Sequence, residues 1–387
     1  MFIIFLVTFI GLMGFGIILP LFPFYAERLG AGPEIITLSM AFFSVGQFIA
    51  APFWGRVSDS IGRKKVLVFT LFGSAISYII LAFAPTITTV ILSRILSGFM
   101  AGNIAIAFAY VTDITDNENR AAGLGKVSAG LGLGFMTGPA IGGFLAGNDV
   151  ANANYILVAL SGAGINLISI IATLLFLKES LATENRKPFG SILTLFEKST
   201  FSPDKAILPL VFCGLIFYTA MSLMEAIFPL WSNHIFNFGP TNIGTVFFML
   251  GFIGVVIQGA LIGPMTKFLG EKVLVQIASL SVALGLVLIG LSSDELILWI
   301  GLFFYGLGAA IFNPSLSSLI SKSAKPNERG KFLGQYQSAS AMGRIIGPAF
   351  SGVLYTSFIA SAPLYTGAIV VIPVIIIIAN FTLRKPA

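Results

Sequence analysis

Three ionisable side chains interrupt otherwise apolar stretches of this chain: Glu225, Arg344 and Arg94. A charge inside hydrocarbon is costly to hold, so each is a functional candidate by default. Glu225 stands about twenty residues into its apolar run, Arg344 about fifteen, and Arg94 about seven into a run travelling the opposite way. At roughly 1.5 Å per residue, all three fall in the outer half of a bilayer and could face one cavity. A carboxyl that meets a guanidinium in changing surroundings can take up and release a proton, which is the chemistry of proton coupling. The alternative is a static Glu–Arg pair that only holds helices together. Two embedded arginines against one glutamate leave a net positive pocket, which suits an anionic or zwitterionic amphiphile better than a lipophilic cation.

Around these charges lie side chains suited to a greasy, adaptable cavity: Phe43, Gln47, Phe135, Tyr218, Met221, Met224, Phe228, Gln258, Asn313, Tyr336 and Gln337. Aromatics and methionines accommodate varied shapes, and buried amides seek partners. The chain has 37 phenylalanines, so most must face lipid or neighbouring helices, and the amides are the stronger candidates. His234 falls at the outer end of its run with no metal-ligand spacing around it, and Cys213 lies within an apolar run, where a thiol is usually inert. No metal and no cofactor is expected. One His, one Cys and no clustered deep acids argue against a membrane enzyme.

The elements that must position these groups follow from composition. Of 387 residues, 56% are hydrophobic and 10% charged, a balance foreign to a water-soluble globule of this size. Apolar runs fall at about 2–24, 35–57, 66–84, 87–112, 121–146, 153–177, 205–232, 240–266, 273–291, 295–321, 330–358 and 361–383. Each has the length of roughly 20 residues that a membrane-spanning helix needs. No ten-residue alternation suggests a barrel, so the expected fold is an all-α membrane protein of twelve transmembrane helices in two pseudo-symmetric six-helix bundles. The expected domains are 1–177, a cytoplasmic linker 178–204, and 205–387. The opening run lacks a basic start and a small-residue cleavage site and is expected to be a retained first span.

Orientation follows from the cations, because Lys and Arg in short loops resist translocation. Placing Arg56 and Lys64 on the cytoplasmic side puts 19 of the 22 Lys and Arg there, Arg28 outside, and Arg94 and Arg344 within helices. Both termini are then expected in the cytoplasm. The formal charge of +6 is spread by this topology and makes no nucleic-acid surface.

The loop Gly55 to Lys65, GRVSDSIGRKK, packs five charges into eleven residues between two oily runs. Its spacing lets Asp59, Arg63 and Asp113 meet at one corner across a turn carrying Gly55 and Gly62. An internal repeat supports two halves: residues 120–145 are echoed by 329–354, with Gly138, Pro139 and Gly143 landing on Gly347, Pro348 and Gly352 at a spacing of 209. A fainter echo sets Gly55 and Gly62 over Gly263 and Gly270, as though the second loop were a degenerate copy and gating charge were concentrated in the N-terminal half. Two homologous halves suit a secondary transporter. Glycines at four-residue spacing in the fifth run provide a flat stripe for close helix approach and rocking, and Pro139 invites a bend.

These residues resemble the major facilitator superfamily over essentially the whole chain. The loop signature, Gly14, Gly16, Pro20 and Pro23 in the first run, Arg94 and Gly98 in the fourth, and Gly134, Gly138, Pro139, Gly142 and Gly143 in the fifth look like its drug:proton antiporter branch. The pattern around Glu225 is similar to Gram-positive quinolone and multidrug exporters, with tetracycline exporters slightly further away. The resemblance implies that Asp59, Arg63 and Asp113 latch the cytoplasmic side in the outward-facing state, and that Arg94 influences proton handling. Four positions depart from the family pattern. Ser60 stands where an arginine commonly follows the aspartate, and Gly11 and Ala310 stand where family exporters often carry an acid. Arg344 replaces what is usually a neutral polar residue. The function expected is proton-coupled efflux of amphipathic small molecules or drugs across the cell (inner or plasma) membrane, by a chain acting as a monomer in the lipid bilayer. The alternative is an exporter or flippase of an anionic or zwitterionic lipid-like or sugar-like metabolite, with proton-driven uptake third.

Overall fold

The computed structural model describes residues 2–116, 120–181, 184, 186, 207–325 and 328–382, and every regular element among them is helical. In chain order these are α1 (Phe2–Ile18), α2 (Phe22–Arg28), α3 (Pro33–Ile61), α4 (Arg63–Ala82), α5 (Ile87–Met100), α6 (Asn103–Ile114) and α7 (Arg120–Ala146). They continue with α8 (Tyr155–Phe176), α9 (Leu208–Phe236), α10 (Pro240–Val256), α11 (Ile262–Leu291), α12 (Glu295–Ser323), α13 (Arg329–Ser357) and α14 (Ala362–Asn380).

Ten segments among the described residues are long and apolar enough to cross a membrane. One of them, Pro240–Leu291, is 52 residues long and breaks at Gly270, whose φ of 75° is not helical. Counting it as two crossings, and adding the more polar 29-residue α13, is what reaches the twelve expected. The expected linker 178–204 lies outside the described residues except for 178–181, 184 and 186.

Local chemistry explains the breaks within crossings. Pro20 has no N–H to give, and α1 passes to α2 through single turns closed by Leu19 and Leu21. Between α5 and α6, Gly102 lies against Trp54, whose indole N–H donates to the Phe99 carbonyl at 2.8 Å; a Cβ there would come 2.5 Å from the ring. Ahead of Pro264, the ladder widens into a five-residue π-helical turn, Ile257–Leu261, which relieves the clash of the proline ring with the preceding turn.

The chain forms two compact units: Met1–Ala31 with Phe42–Phe196 and Phe238–Gly251, and Gly32–Ala41 with Glu197–Asn237 and Phe252–Ala387. Each takes in a short piece from beyond the boundaries expected from sequence. In the first unit the opening turn of α10 packs on α7, where a Cβ at Gly143 would lie 2.5 Å from the Pro240 carbonyl, and Thr241 donates to the Gly143 carbonyl at 3.0 Å. In the second the opening turn of α3 packs on α13, where a Cβ at Gly352 would lie 2.5 Å from Glu34 Cα, and the Gly352 N–H donates to Thr37 Oγ1 at 3.1 Å. The core of the first unit gathers Ile4, Trp54, Leu67, Leu71, Ile106 and Val111. The second is centred on Phe217 stacked on Phe312, with Phe228, Trp231 and Tyr336 buried nearby.

Candidate functional site

Helix α9 has two faces, set by its 3.6-residue period. Phe217, Ala220, Met224 and Phe228 form a fully buried stripe, whereas Tyr218, Met221 and Glu225 form a half-buried one. Met224 and Phe228 were expected to line a cavity; both are fully buried, Met224 a quarter-turn round from Glu225 and Phe228 against the Trp231 ring. Glu225 Oε1 accepts a hydrogen bond at 3.3 Å from the hydroxyl of Tyr305 on α12, and the same hydroxyl lies 3.2 Å from the Met221 carbonyl oxygen. Sequence reasoning missed Tyr305, although a phenol in the middle of an apolar helix needs a buried partner.

Arg344 on α13 sits over the ring of Tyr218, its guanidinium carbon 5.1 Å from the centroid. None of the ion pairs among the described residues joins it to Glu225 within 4.0 Å. The Tyr336 hydroxyl donates to Asn313 Oδ1 at 2.7 Å and also interacts with the Tyr218 phenol. Gln337 shares the face of Arg344 two turns away and is exposed, as is Gln258 on the π-helical turn. Within this unit, therefore, Tyr218, Met221, Glu225, Asn313, Tyr336 and Arg344 come together through Tyr305 and the Tyr218 ring.

The other expected residues belong to the first unit. Arg94 on α5 is 5% exposed and lies over Phe22 (5.4 Å) and Tyr78 (5.9 Å), and its Nε and Nη2 have no hydrogen-bond partner among the described residues. Phe43 stacks on Phe15 with centroids 4.7 Å apart, and Phe135 meets Phe247 edge-on at 6.3 Å. Gln47 is half-buried on α3, one turn along from Phe43.

The charged corner is assembled as its spacing suggested. Gly62 turns the chain with φ 107°, a conformation that favours glycine, and α4 begins at Arg63. Arg63 is 8% exposed; it meets Asp59 at 2.6 Å and Asp113 at 3.0 Å, and its Nη1 donates to Ser58 Oγ at 2.6 Å. Gly55 supplies a carbonyl that accepts from Ser58 at 2.7 Å. A residue missed from sequence completes the corner. The Glu179 carboxylate, just after α8, accepts from the backbone N–H groups of Arg63 (2.8 Å) and Lys64 (3.2 Å) and so caps α4. Replacing one such cap costs about 0.5–2 kcal/mol, so Glu179→Gln should lower the thermal midpoint of the purified protein by a few degrees. A midpoint unchanged on differential scanning would remove the cap from this account.

The stripe on α7 meets α1. Cβ atoms at Gly130, Gly134 and Gly138 would lie 2.8, 2.5 and 2.6 Å from the carbonyl oxygens of Phe5, Phe9 and Met13, and Gly142 faces the Ile17 carbonyl the same way. Pro139 lies beside Gly16. The repeat in sequence is a repeat in packing, since Cβ atoms at Gly343 and Gly347 of α13 would lie 2.7 and 2.8 Å from the Leu215 and Thr219 carbonyl oxygens of α9. Gly143 faces away from this ladder, toward α10.

The family and the relatives that this helical chain matches make it a membrane transporter and not an enzyme. It matches the Major Facilitator Superfamily over residues 4–262 and 210–387 and belongs to that family. It is similar to Multidrug resistance protein 2 of Bacillus subtilis (strain 168), at 30% identity over 94% of this chain and 90% of the relative. It is also similar to Tetracycline resistance protein, class H, of Pasteurella multocida, at 28% identity over 99% of this chain and 96% of the relative. Its fold is shared with the human organic anion transporter MFSD10, at a TM-score of 0.74 and 23% identity over 97% of this chain and 98% of that one.

Proposed function

We propose that this chain is a proton-coupled exporter of amphipathic small molecules or drugs, working by alternating access. The observation that carries the proposal is the contact of Glu225 with Tyr305. Glu225 is the one carboxylate among the described residues set far from any helix end or break. The Tyr305 hydroxyl has a single proton and two acceptors within 3.3 Å. With Glu225 ionised, Tyr305 donates to the carboxylate. With Glu225 protonated, the acid can donate to the phenol oxygen and Tyr305 can donate to the Met221 carbonyl. One proton thus changes which bonds hold α9 to α12. Similarity to multidrug and tetracycline resistance proteins supports export as the direction and drugs as the substrate class.

A second reading, export of an anionic or zwitterionic metabolite, is favoured by Arg344, which lies over Tyr218 with no carboxylate among the described residues within ion-pair distance. We further assign residues 1–177 and 205–387 to two six-helix bundles, with both termini in the cytoplasm, in the cell membrane of its host and active as a monomer. Arg94 belongs to proton handling, and Gln47, Gln258 and Gln337 to substrate contact. Asp59, Arg63 and Asp113 close the cytoplasmic side.

The test is transport of a charged-dye panel and tetracycline into inverted membrane vesicles. A pH gradient should drive uptake and an uncoupler should collapse it; uptake indifferent to the uncoupler contradicts the proposal. In the same assay Arg344→Ala should shift preference toward cations by about tenfold, the ratio that about 1.4 kcal/mol of charge interaction sets. Unchanged selectivity would remove Arg344 from the substrate's path.

A further inference from the structure

The echo that sets Gly55 and Gly62 over Gly263 and Gly270 also carries charge, with every sign reversed. Asp59, Arg63 and Asp113 form the N-terminal set; Lys267, Glu271 and Lys322 stand at spacings of 208, 208 and 209 from them. The backbone repeats too. Gly62 has φ 107°, ψ 151° and Gly270 has φ 75°, ψ 158°, and a helix begins at the following residue in each case. That residue is 8% exposed in both copies, Arg63 in one and Glu271 in the other. Arg63 is held by Asp113 near the end of α6 and by the Ser58 hydroxyl. Glu271 is held by an ion pair to Lys322 near the end of α12 and by the Ser318 hydroxyl, which donates at 2.9 Å.

We propose that Glu271, Lys322 and Ser318 form a second conformational latch, of inverted polarity, that positions α11 for transport as the Arg63 cluster positions α4. The inference rests on the transporter reading above. It corrects the expectation that the second loop is degenerate. The residue types diverge because the signs are exchanged: the Arg63–Asp113 pair has its counterpart in Glu271–Lys322, while no ion pair among the described residues joins Lys267 to Glu271 as one joins Asp59 to Arg63.

The inversion has a physical consequence. A helix N-terminus is partly positive and a C-terminus partly negative. Glu271 begins its helical stretch and Lys322 lies in the last turn of α12, so both charges complement the backbone. Arg63 begins α4 and Asp113 lies near the end of α6, so both oppose it. The N-terminal corner borrows Glu179 to supply the missing anion at α4, whereas Glu271 supplies it directly at α11. The N-terminal corner therefore depends on Glu179 to complement its helix, whereas the C-terminal corner complements its own.

The experiment compares E271K, K322E, the double reversal E271K/K322E and E271Q in proteoliposome transport, with thermal midpoints measured on the same preparations. Each single reversal should cut the initial rate about tenfold and the double reversal should restore it to within about threefold, the size of coupling expected between interacting sites. E271Q should lose rate per folded molecule by more than any fall in its midpoint accounts for. Normal transport by the single variants, or a double no better than either, overturns the proposal. So does an E271Q protein that loses midpoint but transports normally per folded molecule. If the wild type itself moves no substrate, the functional reading has failed and the latch is judged by labelling. Ser315→Cys, 1% exposed on α12, in a Cys213→Ser background should react with a maleimide about tenfold faster in either single reversal, and the double should restore the slow rate. Equal labelling in all four overturns the latch.

Discussion

Glu225→Gln is expected to reduce proton-driven transport to the rate of empty liposomes while substrate still binds. Gln has the shape of Glu and a carbonyl oxygen that can accept from Tyr305, so the 3.3 Å contact to α12 can survive. What it cannot do is take up a proton and pass from acceptor to donor, and the exchange of Tyr305 between Glu225 and the Met221 carbonyl stops. Substrate affinity should stay within about threefold, a difference of about 0.7 kcal/mol. The measurement is flux under an imposed pH gradient beside equilibrium binding on the same preparation. Normal gradient-driven flux in the variant would show that another group carries the proton; loss of binding with loss of flux would make Glu225 a substrate ligand.

Gly138→Leu is expected to be equally severe for a different reason. A Cβ at Gly138 would lie 2.6 Å from the Met13 carbonyl and 2.9 Å from Gly16 Cα, both backbone atoms with little room to yield. Adding a side chain there forces α1 and α7 apart along a ladder of four glycines. Overpacking of this kind costs about 1–3 kcal/mol or more, and without a large hydrophobic driving force between helices in lipid, close backbone approach is much of what holds them together. Transport should be abolished and the thermal midpoint lowered. Gly132 on the same helix is the control, because nothing lies within 4 Å of its would-be Cβ. Gly132→Leu should transport normally. If both variants behave alike, the ladder is not what binds α1 to α7.

The contrast between those glycines shows what a single sequence makes legible. Spacing alone marked Gly134, Gly138 and Gly142 as one face, because a helix brings every fourth residue into line. It could not name the partner helix, nor separate Gly143, which turns to α10. The spans, the repeat and the corner of Asp59, Arg63 and Asp113 were legible for the same reason: each is written in local periodicity or in a short loop. Tyr305 was not, since its importance lies in a contact 80 residues away with Glu225. Glu179 was hidden likewise, capping a helix more than a hundred residues earlier. Residue type suggests a cavity for Met224 and Phe228, and tertiary packing buries both completely. The second corner was overlooked because a motif search compares residue identities, and Glu271 with Lys322 preserves the physics while reversing the identities.

The central claim, that substrate moves out as protons move in through Glu225, is tested most directly by recording both fluxes at once in proteoliposomes of the wild-type protein. With a pH gradient imposed and a drug present, an internal pH dye should report proton movement that begins only when substrate is added. Substrate and protons should travel in opposite directions, and both signals should vanish in Glu225→Gln. Substrate flux with no accompanying proton movement, or with protons moving in the same direction, would contradict the account.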